Sequence, residues 1–226
     1  MPFAGFGKEA LPFFKALGFH QTRDWFEANR AIYEDTVKRP LGDLVEDVAA
    51  ALARGGPPVT GNRKTSVFRI HRDTRFAKDK SPYKTNAGAA LTRSGAKSDP
   101  GLVYVHVSPD GCFFAAGFYS LDPPALARLR RAAAREPKAY AAALRKLERA
   151  GLALDDIEDM KRAPAEFADV TDPLAAAAVR KRHFTCRRPV ADARLIEPAL
   201  VADMVAFARD ARPLLDWGWD ALTETR

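Results

Sequence analysis

Cysteine is nearly absent from this chain: Cys112 and Cys186 are the only two among 226 residues. They form no CxxC pair and no disulfide framework, so a reduced, cytoplasmic setting is expected. Histidine is almost as scarce. His20, His71, His106 and His183 are scattered, and none has a second ligand at the i+2 or i+4 spacing of common metal motifs, so no metal and no cofactor is expected. The glycine-rich signatures are missing too: there is no GxSxG elbow, no Walker A run and no GxGxxG turn, which removes the usual hydrolase, P-loop and dinucleotide readings. No window approaches the ~18 consecutive apolar residues of a membrane span. The start, MPFAGFGKEA, lacks a basic stretch followed by a long apolar run, so no signal peptide is expected.

Acidic residues are in short supply in one place only. The formal charge is +7. Residues 61–119 hold ten Lys and Arg against four Asp and Glu, whereas residues 1–60 and 120–172 are close to balance. A base-composition bias could make Arg common throughout an Ala- and Arg-rich chain, but it does not explain a local excess. The excess centres on KTSVFRIHRDTRFAKDKSPYKTNAG, residues 64–88. There Lys64, Arg69, Arg72, Arg75, Lys78, Lys80 and Lys84 face only Asp73 and Asp79. Seven cations so close together repel one another unless an anion sits among them. Arginine suits that role because its planar fork gives a phosphate or carboxylate two parallel charge-assisted hydrogen bonds.

Within this stretch, RIHRDTRFAKDKSPYKT resembles the signature of a bacterial and fungal family known as domain of unknown function 2461. The similarity extends upstream through Trp25-Phe26-Glu27-Ala28-Asn29-Arg30 and Tyr33-Glu34. Downstream it runs through Gly101-Leu102-Val103-Tyr104, Gly117-Phe118-Tyr119 and Arg162-Ala163-Pro164-Ala165-Glu166-Phe167. The turn Gly18-Phe19-His20-Gln21-Thr22 departs from relatives, which tend to carry an asparagine pair there. The resemblance covers nearly the whole chain and implies no particular activity.

The order of patterns predicts one α+β domain over residues 1–226, an antiparallel meander of about four strands covered by N- and C-terminal helices. Strands are expected at 66–72, 86–92, 102–108 and 112–119, with Phe68, Ile70, Val105 and Phe114 buried. Along 102–108, Val103, Val105 and Val107 alternate with Tyr104 and His106, and Pro109-Asp110-Gly111 supplies the turn. Thr22 and Asp122 read as helix N-caps, a helix is expected to end before Pro40, and Trp25 reads as core. Residues 155–159 read as a solvated acidic turn, 161–176 as a surface loop, and a last helix follows Pro198.

Two functional classes fit. In the first, a small phosphorylated or otherwise anionic ligand is clamped by Arg69, Arg72, Arg75, Lys78, Lys80 and Lys84. His71, Asp73 and Tyr83 would be the candidate proton-transfer groups if the protein is an enzyme. Asp73 would orient Arg69 or Arg75, and Phe76 and Pro82 would anchor the loop. In the second, the same basic surface joins residues 180–188 in a stripe that tracks nucleic-acid phosphates, with Tyr83 or Tyr104 stacking on bases. Arg-Asp ladders that merely hold a loop against a sheet are the competing structural explanation. Cys186, beside Arg187 and Arg188, would have its thiolate favoured electrostatically. The oligomeric state is open.

Overall fold

The computed structural model describes residues 2–223. Four strands, β1 Ala87–Thr92, β2 Leu102–Val107, β3 Cys112–Phe118 and β4 Phe184–Val190, pair in that order. Every pairing is antiparallel. The helices are α1 Ala10–Phe19, α2 Arg23–Ala28, α3 Arg30–Tyr33 and α4 Arg39–Leu52 before the sheet. Between β3 and β4 come α5 Pro123–Arg135, α6 Pro137–Arg149 and α7 Pro173–Ala178, and after β4 come α8 Asp192–Leu195 and α9 Leu200–Thr223. The α+β architecture expected from the alternating patterns is present. None of the described helices is long and apolar enough to cross a membrane.

The meander is assembled from a different set of strands than expected. Residues 66–72 are not a full strand. Val67 bridges Ala89, the Phe68 amide donates to the Gly88 carbonyl at 2.9 Å, and the chain then leaves the edge of β1. It turns instead onto residues 82–84. There the Arg72 amide donates to the Pro82 carbonyl at 2.9 Å and the Lys84 amide to the Ile70 carbonyl at 2.8 Å. Pro82 has no N–H with which to extend that ladder, so pairing stops and residues 73–81 loop out. The fourth strand is β4, in a stretch whose Arg187-Arg188-Pro189 run hides its β character from a propensity reading.

Alternation along the strands separates two faces. Val103, Val105 and Val107 of β2 and Phe114 and Ala116 of β3 are all buried, with Phe114 5.8 Å from Phe207 of α9. This face carries α4 and α9 and holds the main apolar core. Ile70, Val105 and Phe114 are buried as expected, but Phe68 is only half-buried because it faces the other side. Among the described residues, none from a helix lines the cavity on that other face.

Several local signals act as read. The Trp25 amide donates to Thr22 Oγ1 at 3.3 Å, and the Ala125 amide to Asp122 Oδ1 at 2.7 Å. Trp25 packs on the core, with Phe13 5.7 Å away and His20 stacked at 5.4 Å. Pro40, however, does not end a helix. A π-helical turn over Glu34–Lys38 joins α3 to α4, with the Arg39 amide reaching back to the Glu34 carbonyl. The widened turn restarts the hydrogen-bond ladder just before Pro40, which then sits in the first turn of α4, where a missing N–H costs little. The segment 161–176 is also more ordered than a loop. It holds a 3₁₀ turn at Ala165–Phe167 and the start of α7, whose Ala175 amide donates to the capping Asp172 carboxylate.

Extended chain covers part of each outer edge of the sheet. Thr60 and Val67 bridge β1, and Leu154 bridges Cys186 of β4, with the Asp155 amide donating to the Thr185 carbonyl at 2.8 Å.

Candidate functional site

The face of the sheet opposite α4 and α9 forms a concave pocket of about 430 Å³. The strand registers set its floor. Gly88 lies opposite His106, which lies opposite Phe113, and Tyr104 lies opposite Ala115, which lies opposite Arg187. His106 stacks on Phe113 with ring centroids 4.6 Å apart, and the Tyr104 hydroxyl meets His106 Nδ1 at 3.1 Å. Glycine at position 88 leaves room for the Tyr104 phenol, which lies across β1 and would have to move to admit a Cβ there. Burial pushes the Tyr104 phenol up to about 12. Burial also lowers the His106 pKa below its ordinary value. Both rings are therefore neutral at pH 7, and the floor offers stacking and hydrogen bonding rather than charge.

Charge stands at the rim. Phe68 presents an edge to Tyr104 at 6.1 Å and carries two ammonium groups over its ring, Lys84 at 5.7 Å and Lys97 at 5.1 Å. Among the described residues the side chains of Arg69 and Lys84 make no hydrogen bond or ion pair with a carboxylate. The Lys84 pKa is lowered, first by burial and then by the neighbouring charges of Arg69 and Lys97. Two cations without an ion-pair partner therefore repel each other at the mouth of a largely apolar pocket, with only the more distant Asp73 carboxylate acting on Arg69.

The opposite wall comes from residues 155–157. Asp155 accepts from Arg187 Nε at 2.7 Å and from the Thr185 hydroxyl at 3.0 Å. Arg187 lies over the Phe113 ring at 5.7 Å. The acidic turn is thus not merely solvated. It wraps the buried Lys181, whose ammonium donates to the Asp155 carbonyl at 2.9 Å, to Asp156 at 3.1 Å and to Asp159 at 3.0 Å. No group of His, Cys, Asp or Glu able to hold a metal ion occurs among the described residues.

The residues singled out in the sequence part company in space. Arg69 and Lys84 line the pocket. Arg72 pairs with Asp79, which also accepts from the Ser81 hydroxyl at 2.6 Å. Arg75 holds Asp73 with Nε at 3.0 Å and Nη2 at 2.7 Å. That second pair is open to solvent, so it organises its own loop and adds little to the fold. Lys80 donates to the Thr74 carbonyl at 2.9 Å, Lys78 is exposed, and Phe76, expected to anchor the loop, is 95% exposed. The anchoring side chain is Tyr83, buried and stacked on Phe26 at 4.5 Å, with its amide donating to Gln21 Oε1 at 3.0 Å. His71 lies 5.2 Å from Tyr83, ring to ring, and lines a separate basin. His71 and Tyr83 are therefore together, and Asp73 is turned away into the exposed loop.

That second basin, about 940 Å³, meets the sheet-face pocket along a ridge formed by Phe68, Arg69 and Lys84. Its far side is basic, but Arg30, Lys38, Arg39 and Arg63 are each held by a neighbouring carboxylate. The cluster at 180–188 is likewise largely engaged: Lys181 is buried, Arg187 pairs with Asp155, and Arg188 with Asp210 at 2.9 Å. Residues 180–183 follow directly on the C-terminal end of α7, whereas Arg187 and Arg188 lie in β4. Cys186 is fully buried, and burial, with the nearby Asp155 carboxylate adding to it, pushes its thiol up to about 12 and outweighs the opposing charge of Arg188.

The pocket residues Tyr104 and His106 were visible as the non-valine half of an alternating strand. Phe113, Asp155 and Arg187 carried no comparable signal, because their convergence depends on which strands pair. No curated protein and no solved structure matches the chain. The family model for a conserved hypothetical protein, DUF2461, matches residues 9–217, most of its length, and the chain belongs to that family.

Proposed function

We propose that the sheet-face pocket binds a small organic anion, a molecule with a flat apolar body and a phosphate or carboxylate at one end. The observation that carries this reading is the pairing of an aromatic, uncharged floor with two unpaired cations, Arg69 and Lys84, at its rim. A flat body would lie against the Phe113 and Tyr104 rings, displacing water from apolar surface. The anionic end would take two hydrogen bonds from Arg69 and relieve its repulsion with Lys84. A concave, mostly apolar cavity with a few convergent polar groups is the usual form of a small-molecule site.

The nucleic-acid reading draws less support from residues 180–188, where Lys181, Arg187 and Arg188 are committed to internal pairs and the exposed Arg180 and Arg182 remain. The test is calorimetry and thermal shift with aromatic carboxylates, sugar phosphates and nucleoside monophosphates, in parallel with short oligonucleotides. Ligand linkage predicts a rise in melting temperature for the compounds that pair a ring with an anion. Arg69→Ala and Tyr104→Ala should each abolish that rise, and a rise that survives both substitutions refutes the assignment.

A further inference from the structure

The sheet-face pocket accounts for one flat body and one anionic group, but the uncompensated charge does not stop at its rim. The second basin is also lined by Lys64 and by Lys97, the latter held over the Phe68 ring of the ridge itself. Among the described residues neither ammonium has a carboxylate partner, and Lys97 Nζ donates only to the neutral Val67 carbonyl at 2.8 Å. These two lysines, with Arg69 and Lys84, form a run of four cations across the ridge, all from residues 64–97. The carboxylate that lines the basin is already committed, Glu34 to Lys38 at 2.8 Å. Desolvation further lowers the Lys97 pKa, as expected for a cation held on an aromatic face without a counter-ion.

Resting on the small-anion reading above, we infer that the ligand is a nucleotide carrying more than one phosphate. Its base lies on the Tyr104–His106–Phe113 floor, and its phosphate chain crosses the Phe68–Arg69–Lys84 ridge toward Lys64 and Lys97. Both cavities have these three residues in their walls, so a phosphate chain leaving the first need only pass over them to reach the second. A single phosphate held by Arg69 and Lys84 leaves Lys64 and Lys97 without an anion, whereas a di- or triphosphate has oxygens for them as well. A monoanionic aromatic acid has no use for the second basin. Stacking discriminates weakly among bases, so the selectivity expected of this arrangement is for phosphate number over base identity.

The experiment is calorimetry on the full chain with a purine nucleoside, its mono-, di- and triphosphate, and inorganic tripolyphosphate. Affinity should rise by roughly tenfold or more from mono- to triphosphate, and the rise should shrink as salt increases. Tripolyphosphate, lacking the base, should bind more weakly than the nucleoside triphosphate. In Lys64→Ala/Lys97→Ala the ratio of triphosphate to monophosphate affinity should fall toward one, with an unchanged melting temperature showing that the fold is intact. Equal affinity for mono- and triphosphate overturns the inference, as does a ratio that the double variant leaves untouched. So does binding of aromatic carboxylates with none of any nucleotide. In each of these cases the small-anion reading stands, whereas failure of both the carboxylates and the nucleotides removes the two together.

Discussion

Arg69, Arg72 and Arg75 look equivalent in the sequence, and the structure separates them, so a matched set of Arg→Lys substitutions is informative. Arg72 and Arg75 are each held by an aspartate of their own loop, Asp79 and Asp73. Arg69 has no such partner and stands at the pocket rim. Lysine keeps the positive charge but replaces a planar two-pronged donor by a point charge, losing one of two charge-assisted bonds to a bound oxyanion. Such a bond is stronger than a neutral one, with a net value of about 1.5–3 kcal/mol, of which the retained charge recovers part. A net loss near 1.4 kcal/mol corresponds to roughly a tenfold increase in Kd. Arg69→Lys should show that increase by calorimetry against the best anionic ligand, at unchanged melting temperature. Arg72→Lys and Arg75→Lys should leave Kd within about twofold, because their guanidinium groups serve the exposed loop. An equal loss at Arg75, or a loss of stability at Arg69 that no ligand restores, would refute the placement of the site on the sheet face.

Four further outcomes are expected. Gly88→Ala should displace Tyr104 from the floor, costing about 1–3 kcal/mol of stability in chemical denaturation and losing ligand binding; a variant that binds as well as the parent would show that the phenol can move freely. Lys181→Met removes the ammonium that joins three acceptors of the acidic turn, and a stability loss of roughly 1–3 kcal/mol with a weakened pocket should follow. Cys186 should resist a thiol reagent in the native state and react only as denaturant opens the fold, since its thiol is buried and protonated; rapid native modification would contradict the burial. The lowered pKa of Lys84 means the unfolded chain keeps that proton at alkaline pH where the native protein has released it. Stability should therefore rise with pH as it climbs from Lys84's lowered pKa toward the ordinary lysine value of about 10.4, relative to Lys84→Met. In the same window an anion should bind with uptake of a proton, measurable as a buffer-dependent heat.

The valine alternation of residues 102–108 and the turn at Asp110-Gly111 made two strands and their pairing legible, because period two and a tight turn are local properties. The fourth strand was not legible, since its inward Phe184 and Cys186 are separated by polar and basic neighbours that read as surface. Arg69 and Lys84 could be picked out by charge and now line the pocket. Arg72, Arg75 and Lys80 shared that signal but find partners within their own loop. Charge density along a chain measures how many cations are near in sequence, and only the fold decides which ones lack an acceptor.

The irregular segments that lie along the two outer strands have a consequence for how this sheet behaves over time. They occupy the backbone groups that would otherwise recruit a strand from another molecule, so the meander is shielded from edge-to-edge association. The same segments carry Arg69 on one side and Asp155 on the other. Whatever draws those two walls inward also fastens the guards of the sheet, and whatever loosens a guard opens the cavity. A ligand that steadied those walls would therefore also steady the sheet edges, through peptide hydrogen bonds such as those from Phe68 and Asp155. Their exchange with deuterium is the natural clock for both.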